Sequence, residues 1–118
     1  MENKNILTPE EIASYEAKAV EISKERGVPK VHPVVFIQPV TLKRIVAYLR
    51  QPTFAEKLHA MDQALTAGVF MSSNNLMELL LIREHSDALV ETDDDAKMGV
   101  VDYCMGLVSR YQNQLQKK

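Results

Sequence analysis

Residues 45–56 have the sequence IVAYLRQPTFAE, in which a strand pattern passes directly into the start of a helix. The first five of these residues are rich in β-branched and aromatic side chains, which favour an extended strand. After Pro52, Thr53 and Glu56 have the spacing of a capping box, in which the threonine hydroxyl accepts a helix amide and the glutamate bonds back to the threonine amide. The sequence therefore predicts a β-strand that ends near Arg50 and a helix that has Thr53 as its cap.

A second strand precedes this one, because residues 31–37 are also rich in valine, phenylalanine and isoleucine. The polar residues 41–44 separate the two strand patterns, so the sequence predicts a β-hairpin over residues 31–50. Pro33 and Pro39 have no amide hydrogen to give to a strand ladder, so we expect each at a strand start, an edge or a bulge. A two-stranded hairpin is unstable alone, so helices are expected to pack against it.

The segment before the hairpin, residues 7–26, carries the signals of a helix. Thr8 and Glu11 form a second capping box, with proline at the first helical position. Gly27, followed two residues later by proline, is typical of a helix end. The sequence predicts a helix over residues 9–26.

The segment after the hairpin, residues 53–115, is predicted to form three helices. In the first, apolar residues recur at intervals of four, three and four, which predicts one apolar stripe along the helix. The second follows four cap candidates at residues 72–75, and its residues 76–82 are apolar almost all round, which is typical of a central helix buried on most sides. The stripe of the first helix consists of Phe54, Leu58, Met61 and Leu65.

The third of these helices is predicted to have Thr92 as its cap. Residues 93–95 are aspartates that would lie in its first turn, where the positive end of the helix dipole stabilises carboxylates. Lys117 and Lys118 stand at the opposite end and complement the dipole there. The predicted apolar face of this helix consists of Val100, Cys104, Leu107, Val108, Tyr111 and Leu115.

The chain of 118 residues has the size of one domain and an ordinary globular composition, with 46% hydrophobic and 25% charged residues. We therefore expect a single domain over residues 1–118. Its predicted class is α+β and mostly helical, with an N-terminal helix, a β-hairpin, and three helices packed on the hairpin.

Charge and cysteine content restrict which kinds of partner and which cellular compartment are expected. A net charge of −2 gives no general attraction to phosphate polymers or anionic lipid, so neither a nucleic acid nor a membrane is an expected partner. One cysteine cannot form an internal disulfide, and residues 1–5 lack the apolar core of a signal peptide. We expect a cytoplasmic protein.

Residue types that carry catalysis or bind metals are present without the spacing that such sites need. His32, His59 and His85 are scattered and lack the close ligand spacing of a zinc site. Cys104 lies on the predicted apolar face of the last helix, where burial would raise the pKa of the thiol and leave it inert. Residues 85–87, His-Ser-Asp, are consecutive and would point in different directions on a helix, so they cannot form a relay. No catalytic residue, metal site or cofactor is therefore expected.

The aspartates at 93–95 have two interpretations. Counted from Asp93, they lack the glycine at the sixth position and the glutamate at the twelfth that a calcium-binding EF-hand loop needs, so we expect helix-start residues rather than ion ligands. With Asp87 and Glu91 they form an acidic patch, which either attracts a basic partner segment or is a solvated helix end. The sequence favours the solvated end.

The methionines leave a further question open. Six are present, and methionine both fills irregular cores and lines surfaces that accept varied helical partners. Most of them stand among other apolar residues, which favours the core, although a core and a groove produce the same spacing. Those in question are Met61, Met71, Met77, Met98 and Met105.

The order of these elements resembles the small tail assembly chaperone proteins of tailed phages and prophages. The similarity spans residues 7–112 and includes the Leu-Thr-Pro-Glu-Glu-Ile start of the first helix and the acidic start of the last helix at residues 92–95. Its most specific part is the sequence AYLRQPT at residues 47–53.

The resemblance implies a non-enzymatic role in phage tail assembly. Such proteins bind the long, helical, aggregation-prone tape measure protein in the host cytoplasm and keep it soluble until tail-tube subunits polymerise around it. Apolarity, rather than the resemblance, indicates where a partner helix would lie, namely in a groove between the helix at residues 54–65 and the last helix. The candidate contacts in that groove are Phe70, Met71, Met98 and Met105.

The alternative is a small helical adaptor or regulatory protein that acts through self-association or through a protein partner. DNA binding is disfavoured, because the last helix carries Lys97 and Arg110 against four aspartates. A homo-oligomer is compatible with either function.

Overall fold

Two strands and five helices form within residues 7–116, which are the residues that the computed structural model describes. This is the mostly helical α+β class that the sequence predicts. The predictions for Lys117, Lys118 and the side chain of Leu115 lie outside the described part of the chain. In chain order the elements are α1 (Pro9–Arg26), β1 (Val31–Ile37), β2 (Arg44–Arg50), α2 (Phe54–Ala67), α3 (Val69–Leu80), a 3-10 turn (Arg83–His85), α4 (Leu89–Thr92) and α5 (Asp94–Gln116).

The two strands pair antiparallel in the predicted hairpin, with Val31 opposite Arg50 and Ile37 opposite Arg44. One hydrogen bond beyond each end extends the ladder, from the Gln38 amide to the Lys43 carbonyl at 2.9 Å and from the Gln51 amide to the Lys30 carbonyl at 3.0 Å. Because ladder bonds alternate along an antiparallel strand, these bonds place Pro33 at a position whose backbone nitrogen faces the outer edge. The predicted edge position of this proline follows from that register.

Each face of the hairpin enters a different hydrophobic core. Ile45 and Leu49 belong to the larger core, which contains buried residues of α3 and α5. Tyr48 is on the opposite face of β2 from Ile45 and Leu49, and it belongs to the smaller core with Ile22 of α1. The hairpin is therefore a middle layer with α1 on one side and the helices α3 and α5 on the other, and α2 packs against those two helices.

The outer edge of β2 is covered by the chain that follows α3. The Ile82 amide donates to the Tyr48 carbonyl at 2.9 Å, and the Asp87 amide donates to the Val46 carbonyl at 2.9 Å. The Tyr48 amide donates to the Ser86 hydroxyl at 2.9 Å. These bonds pair the backbone groups of β2 that a hairpin alone would leave open to another strand.

Helix α1 begins and ends as predicted. The Thr8 hydroxyl accepts the Glu11 amide at 3.1 Å, and the Glu11 carboxylate accepts the Thr8 amide at 3.0 Å, which completes the capping box. At the other end Gly27 has φ of 67°, a left-handed conformation that glycine adopts without a side-chain clash.

The second helix of the C-terminal part differs from the prediction at both ends. It begins at Val69, directly after Gly68, rather than after the cap candidates at residues 72–75. The Ser73 hydroxyl donates to the Val69 carbonyl in the same helix, and the Ser72 hydroxyl donates to the Ala60 carbonyl of α2, so neither serine acts as a cap. The helix ends at Leu80, two residues before the end of the predicted apolar segment. Within residues 76–82 only Glu78 and Leu79 are exposed, so this segment is buried on most sides, as predicted.

The last helix also starts differently from the prediction. Its cap is Asp93, whose carboxylate accepts the Ala96 amide at 3.2 Å, rather than Thr92. Thr92 instead ends α4, and its hydroxyl donates to the Ala88 carbonyl at 3.3 Å. The short helix α4, which the sequence pattern does not indicate, takes up the residues just before the cap.

Candidate functional site

Helix α2 is held firmly at its first turn. The Thr53 hydroxyl accepts the Glu56 amide at 3.2 Å, and the Glu56 carboxylate accepts the Thr53 amide at 2.8 Å, as the sequence predicts. The same carboxylate accepts two hydrogen bonds from the Arg50 guanidinium, both at 2.7 Å. This bidentate pair joins the end of β2 to the start of α2 and fixes the direction of the helix.

The predicted apolar stripe of α2 faces solvent rather than the core. Ala60 is the residue of α2 that is fully buried, and its carbonyl accepts the Ser72 hydroxyl of α3. The larger side chains lie on another side of the helix, where Phe54 is 75% exposed and Leu65 is 80% exposed. Leu58 is also exposed, and Met61 is half-buried.

Two more large apolar side chains are exposed in the first turn of α3. Phe70 is 68% exposed, and Met71 next to it is also more than half exposed. Isolated apolar residues are common on protein surfaces, but here five are exposed within one helix and the start of the next. We call this set the α2–α3 apolar surface, and it consists of Phe54, Leu58, Leu65, Phe70 and Met71.

The four predicted groove contacts lie on two helices. Phe70 and Met71 belong to α3 and to the α2–α3 apolar surface. Met98 and Met105 lie seven residues apart on one side of α5, where Met98 is exposed and Met105 is half-buried. The depression between the start of α2 and α5 is lined by other residues, among them Lys57 and Tyr111.

The methionines divide between core and surface. Met77 is buried in the larger core, whereas Met71 and Met98 are exposed. Met61 and Met105 are half-buried. Both interpretations of the methionines therefore apply, each to different residues.

Sequence reasoning identified the stripe of α2 but not its direction. Apolar spacing shows which side chains share a face, whereas contacts with other elements decide whether that face is buried. The available signal was Ala60, together with Ala64 four residues later, because small side chains let another helix approach closely. Ala64 is half-buried against the larger core, so the alanine side of α2 is the one that packs.

The nucleophile candidates have structural roles. Cys104 is fully buried, and burial raises the pKa of its thiol to about 12, as the sequence predicts in direction. The Ser86 hydroxyl donates to the Ile82 carbonyl at 2.7 Å and accepts the Tyr48 amide, and the Asp87 carboxylate accepts the Leu89 amide at 3.0 Å. The prediction assumed that residues 85–87 share a helix, but they do not. Ser86 and Asp87 instead form hydrogen bonds with the edge of β2.

The acidic patch is largely engaged in local bonds. Glu91 pairs with Arg83 at 3.2 Å, and Asp93 caps α5. Asp94 and Asp95 are exposed in the first turn of α5, where the helix dipole favours them. Over residues 7–116, no three His, Cys, Asp or Glu side chains are grouped so that they could hold a metal ion.

In the described part of the chain, no helix combines the length and the apolarity needed to cross a membrane. Comparisons with protein-family models, with curated proteins and with solved structures give no match.

Proposed function

We propose that this protein is a non-enzymatic, tail assembly chaperone-like protein that binds an amphipathic helical segment of a tape measure protein. The observation that carries the proposal is the outward direction of α2, which exposes Phe54, Leu58 and Leu65 on a helix that is fixed at its start. The resemblance to tail assembly chaperones supplies the identity of the partner.

The spacing of the exposed residues suits a helical partner. Intervals of four, three and four place side chains in the seam along which two helices pack. Burying a large apolar side chain stabilises a complex by about 1.5–3 kcal/mol, and a few such anchors dominate most interfaces. Phe54 and Leu65, the most exposed of the set, are the side chains that gain most from being covered.

The rigid start of α2 also favours binding. The capping box and the Arg50–Glu56 pair hold the helix in one direction before a partner arrives. A surface that is already ordered loses less conformational entropy on binding than a flexible one. Such a surface suits a protein that captures exposed apolar helices.

The positions of the possible nucleophiles agree with a non-enzymatic role. The Cys104 thiol is buried with a raised pKa, and the Ser86 hydroxyl bonds two backbone groups. Neither side chain is presented to a substrate.

The test is co-expression with the longest coiled-coil-rich protein encoded beside this chain, with soluble yield and co-elution on size exclusion as readouts. Phe54→Ser and Leu65→Ser are expected to weaken binding at least tenfold each, because each removes one apolar anchor, worth about 1.4 kcal/mol or more. Val40→Ser is the matched control, since Val40 is exposed in the hairpin loop. Unchanged binding by both variants would overturn the proposal.

Self-association is the second candidate function, and the same stripe favours it. A second copy of this chain offers an identical seam, so two α2 helices would cover each other in a small helical adaptor. Sedimentation of the chain alone separates the two functions. A dimer that Leu58→Glu converts to a monomer supports the adaptor, whereas a wild-type monomer that co-elutes with the helical partner supports the chaperone.

A further inference from the structure

A second surface feature lies apart from the α2–α3 apolar surface. A cavity of about 320 Å³ opens where the C-terminal half of α5 meets the first turn of α2 and the ends of both strands. This volume is at the lower end of the range for ligand pockets, and it suits a small acid or one protein side chain. The side chains that matter here are His32, Lys57, Tyr103, Leu107, Arg110 and Tyr111.

The cavity is positively charged in a chain whose net charge is −2. None of the described residues that line the cavity is acidic, whereas three of them are cationic: Arg50, Lys57 and Arg110. The charge of Arg50 is balanced by Glu56 at 2.7 Å. Within residues 7–116, neither Lys57 nor Arg110 forms an ion pair, so two cations remain uncompensated at one cavity.

Lys57 is placed over an aromatic ring rather than beside a carboxylate. The Lys57 ammonium lies 5.5 Å from the centre of the Tyr111 ring, a cation–π distance. Burial and the positive charges of Lys30 and Arg110 hold the pKa of His32 below its usual range. Of these causes, the positive charges of Lys30 and Arg110 also favour an anion.

The remaining walls supply neutral donors and apolar contact. Burial raises the pKa values of Tyr103 and Tyr111, so both phenols keep their protons at neutral pH and present O–H donors. Leu107 lies between them on the same face of α5 and lines the cavity with Leu49 and Leu80. A ligand here meets cations at the rim and aliphatic or aromatic carbon inside.

We propose that this cavity is a binding site for a carboxylate carried on an apolar or aromatic body. Lys57 and Arg110 hold the carboxylate, and Tyr103, Leu107 and Tyr111 contact the body. Lys57 and Arg110 are two donors for the two oxygens of a carboxylate, and the apolar walls disfavour a bare inorganic anion. Either a free organic acid or an acidic side chain of a bound protein carries this chemistry.

The test is a titration of the ¹⁵N-labelled full chain with benzoate, followed by amide chemical shifts. Saturable shifts around Lys57 and residues 103–111 are expected in the millimolar range, with no saturable shift from benzamide, which has the same shape without the charge. Lys57→Gln and Arg110→Gln are expected to weaken benzoate binding about fivefold or more each. Lys18→Gln, on the exposed side of α1, is the matched control for loss of one positive charge.

Three outcomes would overturn the proposal: equal binding of benzamide, unchanged benzoate binding by both cavity variants, or saturation by inorganic phosphate in place of benzoate. Unchanged spectra elsewhere and an unchanged unfolding midpoint show that the variants are folded. This test uses no protein partner, so its result is independent of the proposed chaperone function.

A competition experiment with the co-expressed partner complex distinguishes the two sources of the carboxylate, a free organic acid and an acidic side chain of the partner. Release of the partner by saturating benzoate, together with its loss from the Lys57→Gln/Arg110→Gln double variant, assigns the site to an acidic side chain of the partner. Retention of the partner by a double variant that no longer binds benzoate assigns the site to a free organic acid.

Discussion

Gln38 is a buried polar residue that holds together the hairpin loop and the start of α5. Its side chain is 2% exposed. The side-chain oxygen accepts the amides of Val40 and Thr41, both at 2.6 Å, and the side-chain nitrogen donates to the Asp93 carboxylate at 2.8 Å. Gln38 therefore pairs the amides of the hairpin loop and orients Asp93, which caps α5.

Replacing Gln38 with leucine is expected to lower the free energy of unfolding by about 2–4 kcal/mol, because it leaves two loop amides without their acceptor and removes one of the donors to the Asp93 carboxylate. Urea denaturation followed by circular dichroism measures this loss. Gln51→Leu, at an exposed position, is the matched control and should change stability by less than about 0.5 kcal/mol. A loss for Gln38→Leu no larger than that of the control would contradict the role given to Gln38.

Glu56 gives the stability of the protein a defined dependence on pH. The hydrogen bonds from the Arg50 guanidinium lower the pKa of this carboxyl to about 2 from the usual 4.5. Because the folded-state pKa is depressed, the stabilisation is fully present above about pH 4.5 and is lost as the pH falls through 2. Solvent screening limits the contribution to about 1 kcal/mol at neutral pH.

The corresponding prediction compares Glu56→Gln with the wild-type chain at pH 7, pH 4 and pH 2.5. The variant is expected to be less stable by about 1 kcal/mol at pH 7, and the difference should shrink as the wild-type carboxyl takes up its proton. Glu21→Gln, at an exposed position of α1, removes one carboxylate without touching Arg50 and serves as the control. A difference that is the same at all three pH values would refute the assignment.

At the scale of single elements, the close approach of α5 to the hairpin depends on a small residue. A Cβ atom added at Gly99 would overlap the ring of Phe36 in β1, whereas a Cβ at Gly106 would meet nothing within 4 Å. Both glycines lie within α5. The two positions therefore separate the effect of helix propensity from the effect of packing.

Gly106→Ala is expected to raise the free energy of unfolding by about 0.5–1 kcal/mol, because alanine favours the helix and has room. Gly99→Ala gains the same propensity but forces the Phe36 ring to move, so a net loss of about 1 kcal/mol or more is expected. Thermal or urea denaturation of the two variants measures the difference in sign. Stabilisation by both substitutions would show that α5 and β1 pack less tightly than described.

Local sequence signals predicted the helices and strands better than they predicted which faces of those elements are buried. The capping boxes at Thr8 and Thr53 and the paired strands follow from neighbouring residues, and the structure has them. The start of α3 was missed because serine hydroxyls can bond carbonyls from inside a helix as well as cap one: Ser73 donates to Val69 of its own helix and Ser72 donates to Ala60 of α2. The outward stripe of α2 depends on how α3 and α5 approach it, which lies beyond local sequence.

At the scale of the whole molecule, the hairpin joins the two cores. Tyr48 faces the smaller core with Ile22 of α1, while Ile45 and Leu49 face the larger core. Ile82, from the segment that covers the edge of β2, also enters the smaller core. Since both cores share one strand, loss of α1 packing should weaken the entire fold.

The prediction at this scale is that Ile22→Ala lowers the stability of the whole chain by about 2–4 kcal/mol, because Ile22 is fully buried and its truncation leaves a cavity. Unfolding is followed in parallel by far-ultraviolet circular dichroism and by the reactivity of the Cys104 thiol, which lies in the larger core. Both midpoints should shift together. A shift in the first signal alone would mean that α1 unfolds as a separate unit.

The bond between Gln38 and Asp93 spans 55 residues and has a consequence for synthesis on the ribosome. The hairpin leaves the exit tunnel well before α5, so the face that carries Ile45 and Leu49 lacks the cover of α5 while the nascent chain grows. The larger core closes only when residues 100–108 have been translated and have reached that face. The larger core therefore forms only after α5 has been made, later than the hairpin and α3 on which α5 packs.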